Sequence, residues 1–203
     1  MLFLVMLLTA CQPDTKALST QIIASDAFED AVASAVKEEI ATFNATVAAS
    51  KLNEAYKFQY ETEDYARATL LFEEACHHGE QVACAHLSMI LHLGAGMVPR
   101  DTARARVLMS NALPTLETEC NAGALKACSV MGRAYDEGIG TAKDYVKSVA
   151  LYKKCCDGGL AVGCTNLGTM YDSGKGVLKS KATSTSLHRQ ACEQGAALGC
   201  SNL

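Results

Sequence analysis

CNAGALKAC, residues 120–128, sets two cysteines eight positions apart, with a glycine three positions after the first. Eight residues of α-helix span about 12 Å, and a strand spans more. Disulfide-bonded Cα atoms lie only about 4.4–6.8 Å apart. Such a pair can bond only if the chain reverses between its members, and Gly123 supplies the stop of a helix. The stretch therefore predicts one helix ending, a glycine turn and a second helix starting. Closing a nine-residue loop of this kind stabilises by roughly 2–3 kcal/mol on the chain-entropy account.

The device recurs. Cys76 and Cys84, Cys120 and Cys128, Cys156 and Cys164, and Cys192 and Cys200 share the spacing, with Gly79, Gly123, Gly159 and Gly195 in step. Leu87, Met131, Leu167 and Leu203 stand three after each second cysteine. Gly94, Gly138 and Gly174 stand ten after it, and Gly96, Gly140 and Gly176 twelve after it. Successive repeats are 44, 36 and 36 residues apart. Periods of this length mark stacked helical repeats, so the fold class is all-α. In the third repeat, DYVKSVALYKKCCDGG (144–159) reads as the first helix and AVGCTNLGTMYDSGKG (161–176) as the second helix with its turn. The eight extra residues of the second repeat fall in or near VPRDTARARVLMSNALPTLETEC (98–120) and lengthen its first helix by about two turns.

Ten cysteines admit a second reading, metal binding. Cys76, His77, His78, Cys84 and His86 form a mixed cluster. The other repeats lack those histidines, and zinc motifs use tighter gaps, so no metal is expected. Cys155 stands outside the pattern. It reads as a small buried free thiol, as a competitor of Cys156 for Cys164, or as an intermolecular cysteine.

These residues resemble the Sel-1-like repeat family, relatives of the tetratricopeptide repeats. The cysteine pairs together with GCTNLGTMYDSGKGV (163–177) resemble the Helicobacter cysteine-rich proteins in particular. The resemblance covers residues 63–203 and implies a right-handed α/α superhelical solenoid, stapled by disulfides, with the first helix of each pair lining the concave side. Repeats fall at about 63–98, 99–142, 143–178 and 179–203, the last truncated three residues into its second helix. Residues 18–62 lack cysteine pairs and read as an N-terminal helical cap. There AFEDAVASAVKEEIATFNATVAA (27–49) has apolar residues at helical spacing. KLNEAYKFQYETEDYARA (51–68) resembles a tetratricopeptide-like helix leading into the first repeat.

The start of the chain, MLFLVMLLTAC, is apolar up to Cys11 and too short to span a bilayer. It reads as a signal peptide over 1–10. Leu8-Thr9-Ala10-Cys11 resembles the bacterial lipobox, although no Lys or Arg precedes the apolar run. That resemblance implies lipidation of Cys11, a polar tether over 11–17 and a periplasmic location. Gln12 rather than Asp after the cysteine points to the outer membrane. Behind such a leader, disulfides are the expected use of cysteine. The net charge of −4 gives no electrostatic support for nucleic-acid binding.

No G-x-S-x-G, H-E-x-x-H or phosphate-loop motif occurs, and no cofactor is expected. Ser34-Ala-Val-Lys37 matches the S-x-x-K pattern of penicillin-recognising enzymes, without the S-D-N or K-T-G partners. What remains is a surface. Residues eleven, seven and three before each first cysteine share a helical face: Tyr65, Thr69 and Glu73; Met109, Leu113 and Glu117; Tyr145, Val149 and Lys153; Lys181, Thr185 and Arg189. The face runs from acidic to basic, which would orient an extended ligand. The expected function is thus an interaction scaffold that binds a protein or peptide without catalysis. Resemblance to the Helicobacter proteins also implies a β-lactamase-like hydrolase taking a β-lactam or peptidoglycan-type ligand. An immunity lipoprotein against a secreted toxin is a third reading.

Overall fold

The computed structural model describes residues 15–60, 62 and 64–203. The expected signal peptide and Cys11 lie outside them. Among the described residues there are nine α-helices and no strand. The chain forms two units, 1–44 and 45–203. The first contributes the start of α1 (Thr15–Tyr60), whose Val32, Val36, Ile40 and Phe43 stand exposed. No described helix is long and apolar enough to cross a membrane.

The second unit holds the end of α1 and eight further helices. These are α2 (Tyr65–His77), α3 (Gln81–Leu93), α4 (Thr102–Asn121), α5 (Leu125–Glu137), α6 (Tyr145–Asp157), α7 (Ala161–Ser173), α8 (Lys181–Glu193) and α9 (Ala197–Ser201). The segment 51–68 is divided rather than a single helix. α1 ends at Tyr60, and the Asp64 carboxylate caps α2 by accepting from the Arg67 amide. Asp101, Asp144 and Ser180 cap α4, α6 and α8 in the same way, as short side-chain oxygens at this position do.

Disulfides join Cys76 to Cys84, Cys120 to Cys128, Cys156 to Cys164 and Cys192 to Cys200, at Cα separations of 4.5–4.8 Å. Each bridges two adjacent helices across the predicted reversal. Every reversal closes with the same hydrogen bond: the amides of Glu80, Ala124, Leu160 and Ala196 each donate to the carbonyl five residues earlier. That 6→1 closure needs a left-handed residue just before the donor. Gly79, Gly123, Gly159 and Gly195 provide it, with φ of 85–100°.

The second kind of turn joins α3 to α4, α5 to α6 and α7 to α8. These pairs pack more extensively than the stapled ones. The disulfides thus sit at the less extensively packed joints. In this turn Gly96 and Gly176 lie against Tyr65 and Tyr145, and Gly140 lies against Met109.

The insertion in the second repeat resolves into two parts. The cap Asp101 lies 19 residues before Cys120, whereas Asp64, Asp144 and Ser180 lie 12 before their cysteines, so seven of the extra residues extend α4. The eighth lengthens the preceding turn, since Gly94 to Asp101 is seven steps and Gly138 to Asp144 is six. Seven residues are close to two full turns, so the buried stripe drifts by only about 20°. Ala105 and Met109 therefore copy the core positions of Ala112 and Leu116 one heptad later, and all four are fully buried.

A ring of core side chains sits four residues before each first cysteine: Phe72, Leu116, Tyr152 and His188, all buried. Tyr152 and His188 are admitted by glycines on the preceding helix. A Cβ on Gly132 would meet the Tyr152 ring at 2.7 Å, and one on Gly168 would meet the His188 ring at 2.8 Å. Gly132→Ala gains up to about 1 kcal/mol of helix propensity but overpacks a buried ring at a cost of about 1–3 kcal/mol. The clash wins, and the variant is expected to lose about 1–2 kcal/mol in urea unfolding. A stabilised variant would show that α6 moves aside freely.

Candidate functional site

A cleft of about 680 Å³ runs along the second helices of the pairs. His86, Met89, Ile90 and Leu93 of α3 form one wall, Lys126, Ser129 and Arg133 of α5 cross its middle, and Leu160, Val162 and Asn166 continue it with Leu198 of α9. Tyr56 and Gln59 of α1 close one end. Positions two before and two and five after the second cysteine recur in this lining: His86 and Met89 of α3, Lys126, Val130 and Arg133 of α5, and Val162 and Asn166 of α7. They follow the i, i+4, i+7 spacing of one helical face.

Of the twelve residues expected to form the binding face, only Tyr65 lines the cleft. The cleft is lined mainly by the second helices, with Tyr65 of α2 and Tyr152 of α6 reaching it from the first helices. Met109 is fully buried, because the inserted heptad turns its position into core. Tyr65 and Tyr145 pack beneath the turn glycines. Glu73 is engaged by Arg104, Lys153 by Asp157 at 2.7 Å, and Lys181 by Asp172 at 3.3 Å. Thr69 donates to its own helix at Tyr65 O. Thr185, Leu113 and Val149 are half-buried, while Glu117 and Arg189 are exposed.

At the α1 end the cleft has an aromatic floor. His86 stacks on Phe72 with centroids 5.2 Å apart, and Tyr56 stands edge-on to both at 5.0 and 5.7 Å. Burial, with Arg133 and then Lys126 nearby, lowers the His86 pKa to about 3, so the imidazole is neutral at neutral pH. Charges along the wall are paired: Arg133 Nε donates to Glu137 at 2.9 Å, His92 faces the same carboxylate at 3.7 Å, and Lys175 reaches Asp136 at 3.1 Å. Lys126 instead places its ammonium 4.5 Å from the Tyr56 ring centroid.

Among the described residues no group of three or more metal-ligating side chains converges. Cys76 and Cys84 bond each other and His86 is enclosed by rings. Cys155 is a free buried thiol. It donates to Leu125 O at 3.3 Å, and burial pushes its pKa up to about 11. Its room comes from Gly163, where a Cβ would lie 2.4 Å from the Cys155 Cβ. Ser34 and Lys37 are exposed on α1.

The family model for the Sel1 repeat matches residues 81–112, 125–160 and 161–195, just over half of the chain. The chain belongs to the Sel1 repeat family. Each matched Sel1 repeat begins at the helix after a staple (α3, α5 or α7), and the Cys156–Cys164 disulfide connects two matched repeats rather than closing one. A periodic chain can be cut at either turn, and the cuts at 63, 99, 143 and 179 use the other one. Among solved structures the chain is similar to a protective antigen of uropathogenic Escherichia coli with an SLR fold, at 21% identity and TM-score 0.43, covering 75% of this chain and 39% of that one. It is similar to a Sel1 repeat protein from Oxalobacter formigenes at 19% identity and TM-score 0.47, covering 75% and 60%. It is also similar to Helicobacter pylori cysteine rich protein B at 21% identity and TM-score 0.47, covering 65% and 94%. The chain thus spans less than two thirds of the first two. No curated protein matches it. Sel1 repeat proteins are in general protein-interaction modules.

Proposed function

We propose that this Sel1 repeat protein is a periplasm-facing scaffold, tethered by lipid at Cys11, that holds a protein or peptide partner in the cleft along α3, α5 and α7. The observation that carries the reading is the cleft itself. Its volume of about 680 Å³ suits side chains of a bound segment, since ligand sites commonly occupy about 300–1,000 Å³. Its lining mixes apolar side chains with a few convergent polar ones, as recognition surfaces do. The lipobox-like start and four disulfides support the compartment, because disulfides persist in oxidising surroundings.

Peptides selected by phage display on the oxidised protein test the assignment. Asn166→Arg and Ser129→Arg, which fill the cleft, are expected to abolish binding with helicity unchanged. Lys153→Glu with Arg189→Glu on the first helices is expected to leave it intact. The reverse pattern would move the site to the face of the first helices. The tether has its own test, a lipid adduct on Cys11 in the intact mass of protein taken from membranes, and an unmodified cysteine removes it.

A further inference from the structure

We infer that the cleft takes an extended peptide through an acidic side chain, Asp or Glu, whose carboxylate pairs with Lys126 while the peptide main chain meets Gln59 and His86. This rests on reading the cleft as a protein-binding site.

Three unmet needs meet around Tyr56. The first is charge. Arg133 and Glu137 pair with each other, and Asp136 is held by Lys175. Among the described cleft residues, Lys126 is the cation with no carboxylate, and its ammonium sits over the Tyr56 ring. The second is an acceptor. Gln59, one turn along α1 from Tyr56, has its Oε1 buried without a hydrogen-bond partner. The third is the imidazole of His86, 7% exposed, with Nδ1 buried and unpartnered. Buried polar atoms left unpaired are costly and rare, so this end of the cleft is prepared for polar contacts from outside the chain.

The chemistry of the three needs selects the ligand. Lys126 calls for an anion, Gln59 Oε1 for an N–H donor, and the neutral imidazole for either partner of a hydrogen bond. A free carboxylate or phosphate answers only the first. An apolar segment answers only the other two, through its amides. A peptide with an Asp or Glu answers all three.

The neighbours of that acidic residue are set by the rest of the wall. Leu160, Val162 and Leu198 continue the cleft beyond α5, with Val162 and Leu198 40% and 61% exposed. Met89, Ile90 and Leu93 flank it on the other side. Aliphatic or aromatic residues beside the acid would cover them. Because the cleft extends on both sides of Lys126, the peptide continues past it. That geometry selects a side-chain carboxylate over a chain terminus.

The test uses random peptides displayed on phage and selected on the oxidised full chain, on Lys126→Gln and on Lys126→Glu. Lys126 is exposed, so both variants keep the fold. The wild-type pool is expected to be enriched in Asp or Glu beside apolar residues. A labelled peptide from that pool is expected to bind Lys126→Gln about tenfold more weakly, and the Lys126→Glu pool to turn to Lys and Arg. A wild-type pool without acidic enrichment, or equal affinity for Lys126→Gln, overturns the carboxylate assignment while cleft binding stands if Asn166→Arg still abolishes it. Binding that survives Asn166→Arg, or no selected peptide at all, overturns the reading of the cleft and this inference together.

Discussion

Reduction of all four disulfides is expected to unfold the repeat unit. Each closes a nine-residue loop and contributes roughly 2–3 kcal/mol through the unfolded chain, so four contribute on the order of 10 kcal/mol. Domains of this size are stable by about 5–15 kcal/mol in total. The staples also sit at the less extensively packed joints, α2 to α3, α4 to α5, α6 to α7 and α8 to α9. The thermal midpoint followed by far-ultraviolet circular dichroism is expected to fall by about 20–40 °C in excess reductant, at roughly 2–4 °C per kcal/mol. A midpoint within a few degrees of the oxidised protein's would show that helix packing alone sustains the solenoid. Replacing one pair, Cys120→Ser with Cys128→Ser, is expected to lower the midpoint by about 5–10 °C.

The second large effect is a loss of stability in acid that resides in one side chain. Unfolded, the His86 imidazole titrates near 6.5; folded, its pKa is lowered to about 3, first by burial and then by the charges of Arg133 and Lys126. Above pH 6.5 neither state is protonated and stability is complete. Between 6.5 and 3 the unfolded chain binds a proton that the folded chain refuses, so stability falls as pH falls, by about 1.4 kcal/mol per pH unit. His86→Phe keeps a ring against Phe72 and Tyr56 and removes the titration. Urea midpoints at pH 7, 5 and 4 are expected to separate the two proteins progressively, the variant losing less, while titration of the carboxylates is common to both. Parallel pH dependences would mean that the folded imidazole accepts its proton freely.

Much of this fold was legible because its signals are local. An eight-step cysteine pair with a glycine between admits one backbone solution, and repetition multiplied the signal. The extra length of the second repeat was legible as well, because a helix is the cheapest place to put seven residues. The consequence for Met109 was not, since counting back from Cys120 gave no sign that a whole heptad carries the core stripe with it. The cleft was missed for a related reason. In the sequence His86 stands out only as a candidate metal ligand, and Met89, Lys126 and Arg133 belong to no motif. Only the packing of neighbouring second helices reveals that these stripes adjoin. Tyr65 and Tyr145 also pack against turn glycines distant in sequence, contacts that counting along the repeat does not reveal. The division of 51–68 was signalled by Asp64, whose carboxylate starts a new helix.

The placement of the disulfides has a mechanical meaning. Tension applied along the backbone reaches Cys120 and passes to Cys128 through two sulfur atoms, leaving residues 121–127 outside the load path. Each bypassed loop would otherwise add roughly 25 Å to the extended chain. The four together fasten the turns where the helices grip each other least, so a pulled chain surrenders length at its glycine-rich turns and in its helices, never at the stapled joints.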